Sequence, residues 1–251
     1  VGGNYSFARN KIVEKPESPQ AYDYLYATGR RVGQSFGYVA LGLFQSEEEI
    51  LESPTQFGVP LYPGDIKYMD INGDGVIDSN DRYPIGFHNV PEMFYSFKLG
   101  FSYKRLDFSC LFQGAGNVTY NFQNSNIPFN NEGSTPITEW LDRWTPENTD
   151  AKFPRPIYND PTDTETMYYN TFSASQMDFS VQNASFLRLS TLSLSYTFPK
   201  SVSEKMRIGN LRIYSTVSNV FCLTPYKGYD PETGDWYPPT RMFVFGLNVS
   251  L

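Results

Sequence analysis

Asp70, Asn72 and Asp74 stand at alternate positions, and Gly75 follows at once. Counted from Asp70 as position 1, Asp78 falls at position 9 and Asp81 at position 12 of a twelve-residue loop. That is the oxygen-ligand spacing of an EF-hand-type calcium loop. Ca²⁺ takes six to eight hard oxygens, and short carboxylates alternating on a tightly turning backbone all aim at one centre. Gly75 permits the sharp turn, and the Val76 carbonyl is the position-7 ligand. Asp78 acts directly or through a water. Asp81 replaces the usual Glu, so closure at position 12 needs a closer approach of the chain. The plain alternative is an Asn-Gly and Asp-Gly turn solvated by its acids. The register of four acids and an amide favours calcium, as a structural ion.

Pro63 and Gly64 precede the loop, and Pro84 and Gly86 follow it. No helical pattern flanks it, so other elements must hold it in place. The chain has 251 residues, with 20 basic and 27 acidic side chains and a net charge of −7. The acidic balance argues against nucleic acid as a partner, because that needs a basic face. Aromatics make up 17% of the chain, a composition that favours strands and surfaces meeting lipid or sugar. Mean hydropathy is −0.43 and no run of 18 apolar residues occurs, so no membrane-spanning helix is expected. Strands that alternate polar and apolar residues escape that criterion. Cys110 and Cys222 each lie in a strand-like run, and no disulfide framework is expected. Val1 opens the chain without a basic or apolar leader, as in a piece of something longer.

Six strands are expected, over residues 1–14, 92–104, 106–120, 182–198, 211–224 and 241–251. The clearest pattern puts Tyr95, Phe97, Leu99 and Phe101 in one phase and Ser96, Lys98 and Gly100 in the other. It restarts after Lys104-Arg105 with Phe108, Cys110 and Phe112 against Asp107, Ser109 and Gln113. This reads as a hairpin with a very short turn. In residues 186–198 the apolar phase slips from Leu187 and Leu189 to Leu192, Leu194 and Tyr196, the mark of a bulge near Ser190 or of a changed environment. The connections alternate in length. Residues 104–105 and 199–210 are short, whereas 15–91, 121–181 and 225–240 are long. Short turns at one end and long loops at the other is the layout of an outer-membrane β-barrel, apolar outward and polar inward. Within the long connections, 22–44 reads as an irregular extended hairpin and 47–52 as one helical turn. A helix capped by Thr135 is expected over 137–144, with Trp140 and Trp144 on one face as a local core.

Taken in order, a series of short segments resembles the SusC-like (SusC/RagA) branch of the TonB-dependent outer-membrane transporters. They are Gly37-Tyr38-Val39, Gly42 to Ser46, Pro63 to Tyr68, Asp70 to Asp81, Ile85-Gly86 and Phe108 to Gln113. They continue with Arg143 to Asn148, Phe186 to Leu189, Leu192 to Tyr196, Asn219-Val220-Phe221, Tyr226 to Pro231 and Phe243 to Leu251. The resemblance implies an all-β fold, the C-terminal part of a transmembrane barrel of about 22 strands. Residues 1–251 would supply about six antiparallel strands, with 15–91, 121–181 and 225–240 as extracellular loops. The plug and the segment that contacts TonB would lie outside this sequence. It further implies bacterial outer-membrane import of nutrient oligomers, glycan or peptide, with a SusD-like surface lipoprotein, TonB and outer-membrane lipid as partners. The rival reading is a secreted, calcium-stapled β-sandwich that binds a glycan. Catalysis is not expected. His88 is the sole histidine, no Gly-x-Ser-x-Gly occurs, and sequence cannot set the carboxylate separation that a glycosidase needs.

Overall fold

The computed structural model describes residues 1–121, 141–155, 181–234 and 237–250. Fourteen strands are found among them. Those of the large sheet are β1 (Gly2–Phe7), β8 (Met93–Tyr103), β9 (Leu106–Gly116), β12 (Phe186–Thr197), β13 (Asn210–Leu223) and β14 (Met242–Ser250). The short ones are β2 (Ser35–Gly37), β3 (Ala40–Leu43), β4 (Thr55–Gln56), β5 (Ile66–Tyr68), β6 (Val76–Ile77), β7 (Tyr83–Ile85), β10 (Thr119–Asn121) and β11 (Val181–Asn183). The chain divides into two units. The first is Val1–Arg9, Asn89–Val118 and Asn183–Leu251; the second is Asn10–His88 and Thr119–Gln182.

The first unit is an antiparallel sheet in the order β1-β8-β9-β12-β13-β14. The register explains why its sequence alternates. Phe97 pairs with Phe112, Leu99 with Cys110 and Phe101 with Phe108, which puts all six on one face. Ser96 pairs with Gln113, Gly100 with Ser109 and Ser102 with Asp107 on the other, where Lys98 faces Leu111. The phase slip in β12 is a bulge. The register shifts between Leu189 and Thr191, so Leu187 and Leu189 face the same side as Leu192, Leu194 and Tyr196. β13 compensates with an extra residue near Asn219, whose φ is +53°. Cys110 is on the apolar face and Cys222, opposite Arg188, is on the polar face, so both are free thiols.

The apolar face has no covering layer among the described residues. Phe101 is 57% exposed, Phe243 60% and Phe245 77%. Such a face, continuous over six strands, marks a surface that meets a membrane or another apolar layer. The polar face is cross-linked by hydroxyls and one ion pair. Ser102 Oγ donates to Asp107 Oδ1 at 2.6 Å, and Arg212 Nη2 donates to Ser195 Oγ at 2.6 Å. Arg212 also lies 3.5 Å from Asp107. Two aromatic rings cover glycines across the strands. Tyr95 lies over Gly114 and donates to the Phe186 carbonyl at 2.7 Å, and Tyr214 lies over Gly246. A side chain at either glycine would collide with the ring.

Several elements differ from the expected ones, and the strand expected over 182–198 splits into β11 and β12, which lie in different sheets. The first strand ends at Phe7 instead of residue 14, because Arg9 turns to form a forked pair with Glu92 at 2.7 and 2.9 Å. The strand expected over 106–120 breaks at Asn117, which has φ +53°, and β10 pairs with β11 in a separate two-stranded sheet. The connection after β12 forms a helix, α2 (Lys200–Lys205), where a turn was expected.

The second unit is built of short strand pairs. β2 pairs with β7, β3 with β5 and, in parallel, β4 with β6. The stretch 22–44 is therefore not a hairpin: each of its strands pairs with a partner beyond residue 60. Tyr38, Leu43, Ile66, Tyr68 and Ile77 form its core, with Phe57 and Trp144 packed against them. Gln56 is buried within it. Its Nε2 donates to the Ile66 carbonyl at 3.0 Å and its Oε1 accepts from Tyr68 N at 2.8 Å. The expected turn at 47–52 is helix α1 (Glu47–Leu51), capped by Ser46, which accepts from Glu49 N.

Candidate functional site

The loop 70–81 starts two residues after β5 and takes β6 into itself. It closes on a single 3₁₀ turn, Ser79–Asp81. Buried Tyr68, Ile77 and Ile85 pin it from both sides. Within it the side chains hold the backbone. Asp70 Oδ1 accepts from Gly73 N at 2.6 Å and Oδ2 from Gly75 N at 2.8 Å. Gly73 and Gly75 both have positive φ, +77° and +83°, which suits glycine. Asn72 Oδ1 accepts from Asp74 N at 3.0 Å, and Asp74 Oδ1 accepts from Val76 N at 2.9 Å. Asp78 Oδ1 accepts from Asn80 N at 2.7 Å.

Asp81 is fully buried and closes the loop. Its Oδ1 accepts from Ile71 N and its Oδ2 from Asp78 N, both at 2.8 Å. Asp78 and Asp81 thereby form a reciprocal capping box around the 3₁₀ turn. Burial raises the Tyr24 phenol above its ordinary pKa, and the negative charges of Asp81, Asp70 and Asp74 add to that rise. The Tyr24 hydroxyl donates to the Asn80 carbonyl at 2.6 Å, and its ring stacks on Tyr22. Asp70 itself sits below the usual carboxylate range. Burial opposes this, but amides from Gly75, Gly73 and Asp74 outweigh it.

The donor set fits a hard divalent cation in kind. It offers carboxylates, one amide oxygen and the Val76 carbonyl, with no nitrogen or sulfur ligand. A carboxylate carries about four lone-pair sites, so the amide contacts leave acceptor capacity on Asp70, Asp74 and Asp78. No three His, Cys, Asp or Glu side chains among the described residues are grouped to hold a metal by themselves.

Sequence reasoning missed two buried ion pairs, since each joins residues far apart in the chain. Arg188 Nη2 lies 2.6 Å from Asp230 Oδ2 in the first unit. In the second, Arg155 Nε donates to buried Asp65 at 2.6 Å. Asp65 also accepts from Tyr62 N, and the neighbouring Gly64 carbonyl accepts from Arg155 N. The Trp144 ring lies on Gly64, and its indole N–H donates to Gln45 Oε1. Trp144 therefore anchors a long connection, as the sequence suggests. Thr135, Trp140 and most of the helix expected over 137–144 lie outside the described residues.

Burial raises the Asp65 carboxyl pKa, and Arg155 with Tyr62 N–H draws it back only partly. A carboxyl raised in the fold favours folding below its unfolded pKa, and that contribution is lost as pH rises through the folded value. Arg155→Met removes the main opposing pull. The second unit should then weaken by about 1–3 kcal/mol at pH 7, with relief as pH falls and Asp65 takes a proton. Protease sensitivity of residues 44–66 at pH 7 and pH 5 tests this. Equal nicking of the variant at both values would show that Asp65 is not the buried charge.

No family model matches the chain. TonB-dependent receptor P26 of Formosa agariphila is 32% identical over 241 residues, covering 88% of this chain and 23% of that protein. TonB-dependent receptor SusC of Bacteroides thetaiotaomicron is 27% identical over 190 residues, 72% of this chain and 17% of SusC. Among solved structures, the RagAB peptide importer in its open-open state matches 99% of this chain and 26% of its own, with a TM-score of 0.63 and 21% identity. The chain therefore spans about a quarter or less of the proteins it matches. They are receptors and transporters by name. Its six-stranded sheet, with one apolar face and one polar face, has the fold of part of their β-barrels, and over most of its length the chain is similar to TonB-dependent receptors, SusC among them.

Proposed function

We propose that this chain is the C-terminal part of the barrel of an outer-membrane importer for nutrient oligomers, glycan or peptide. In this reading the import is driven through TonB and a SusD-like surface lipoprotein acts as the lid. The supporting observation is the sheet itself: its apolar face carries exposed large apolar side chains on five of the six strands, and its polar face carries Lys98, Asp107, Ser109 and Gln113. A soluble sandwich would cover that apolar face with a second sheet. β1 and β14 are edges here, and open edges in a bilayer cost several kcal/mol for each unsatisfied backbone group. We infer that strands beyond this chain close them. The three long connections all leave the same end of the sheet, which we assign to the cell exterior. Purification of the tagged full-length protein from detergent-solubilised outer membranes tests the assignment. A co-purifying surface lipoprotein in near-equal amount is expected; a soluble protein with no such partner would contradict it.

Calcium is part of this reading. Asp70, Asn72, Asp74, the Val76 carbonyl and Asp81 would hold one ion, with Asp78 direct or through water. Its role would be to neutralise clustered carboxylates and to fasten the 15–91 connection, where substrate or lid could dock. At extracellular calcium levels an affinity of roughly 10⁻⁴ M suffices to fill such a site. Chelator should therefore speed protease nicking between residues 60 and 90 of the full-length protein. The double change Asp70→Asn with Asp74→Asn should abolish that calcium dependence while the barrel strands stay paired. Equal nicking with and without chelator in the unaltered protein would reduce the loop to a turn.

A further inference from the structure

The two short connections at the other end of the sheet have an unusual charge. Lys104, Arg105, Lys200, Lys205 and Arg207 are all exposed there, against one acid, Glu204, in a chain whose net charge is −7. None of the five makes an ion pair among the described residues. The apolar face ends at the same level in rings. Tyr103 and Tyr196 both pair with Leu106, and Phe198 packs edge-on against Tyr196 with centroids 5.2 Å apart. Tyr103, Lys104, Arg105, Leu106 and Tyr196 line an open hollow of about 630 Å³. Lys104 holds φ +55° at the hairpin turn, a conformation that Asn or Gly adopts more easily. The turn thus keeps a cation at a backbone position that would be less strained without it.

From this juxtaposition of unpaired cations, an aromatic rim and an apolar face, we propose that the hollow binds the phosphate headgroup of an anionic membrane phospholipid. The acyl chains lie along Phe101, Tyr103 and Tyr196, and the phosphate meets Lys104 and Arg105. Exposed cations bordering an apolar face match an anionic headgroup on acyl chains, since long basic side chains reach the headgroup level while their stems stay on apolar surface. Basic residues on α2 and Arg207 extend the same field to neighbouring lipids. The inference rests on the barrel reading, because it places this end of the sheet at a membrane–water boundary.

The test uses the full-length protein, delipidated in detergent and titrated with phosphatidylglycerol, phosphatidylcholine or inorganic phosphate, with bound lipid counted by native mass spectrometry. Phosphatidylglycerol should bind more tightly than phosphatidylcholine, and millimolar inorganic phosphate should not displace it. Lys104→Ser with Arg105→Ser should weaken phosphatidylglycerol binding by about 30-fold, the factor for two basic contacts at a charged surface. Phosphatidylcholine binding should stay unchanged. Undiminished binding in the double variant would overturn the site, and displacement by inorganic phosphate would reduce it to a free-anion site. Heat-modifiable migration on gels, measured on the same samples, reports the barrel. If that mobility shift persists while lipid preference is absent, the lipid site alone fails. If it is absent from the unaltered protein, the barrel reading fails.

Discussion

Arg188→Met is expected to release the 224–241 connection from the sheet, at a cost of about 3–5 kcal/mol. Arg188 is on the polar face of β12, opposite Gln113 and Cys222. Both it and Asp230 have side chains only 6% exposed, and they meet at 2.6 Å. Asp230 serves a second purpose. Its Oδ1 accepts from Glu232 N and Thr233 N, and its own N–H donates to Gly234 O, which closes the turn 230–234. Removing the guanidinium leaves a buried carboxylate with no counter-charge, which is the costly half of any buried pair. Amide exchange over residues 226–234 should accelerate by about two to three and a half orders of magnitude. Arg188→Met combined with Asp230→Asn should recover part of the loss, because no lone charge remains and the amide oxygen can still accept from Glu232 N and Thr233 N. Unaltered exchange in the single variant would show that the pair does not hold the connection.

Leu99→Arg has the second large effect. Leu99 is mid-strand on the apolar face, between Phe97 and Phe101, and pairs with Cys110. A charge facing lipid near the middle of a barrel strand costs about 2–4 kcal/mol. The same charge at Ser109, whose side chain shares the polar face with Gly100 and Ser193, meets water or polar groups. Assembly of the full-length protein into outer membranes should fall sharply for Leu99→Arg and little for Ser109→Arg. Equal loss for both would remove the distinction between the faces.

What was legible in the sequence was what repeats with period two. β8 shows it without interruption, so both its ends came within one residue, whereas β9 starts where expected and stops four residues early at Gly116. The slip in β12 was visible as a change of phase, and only the pairing with β9 and β13 could show it to be a bulge that keeps one face apolar. The short strands of the second unit were not legible. Pairs such as Ser35–Gly37 with Tyr83–Ile85 are three residues long and far apart in sequence, so no local pattern marks them. Helix α2 lacks a side-chain N-cap, which removes the usual start signal. The ligand-type residues of loop 70–81 could be read off their spacing. The role of Asp81 as a buried bracket across Ile71 and Asp78 could not, since it depends on where the loop's two ends meet.

The most direct test of the barrel assignment is spin-label accessibility in the full-length protein in lipid bilayers. Labels at residues 97, 99 and 101, and at 187, 189, 192, 194 and 196, should be open to oxygen and shielded from a water-soluble nickel chelate. Labels at 98, 100, 193 and 195 should show the reverse preference or shielding from both. The oxygen-accessible phase must change from odd to even residue numbers across Ser190, because the bulge keeps Leu189 and Leu192 on one face. Nickel access at the apolar phase, or exclusion of both reagents there as in a packed core, would contradict the account.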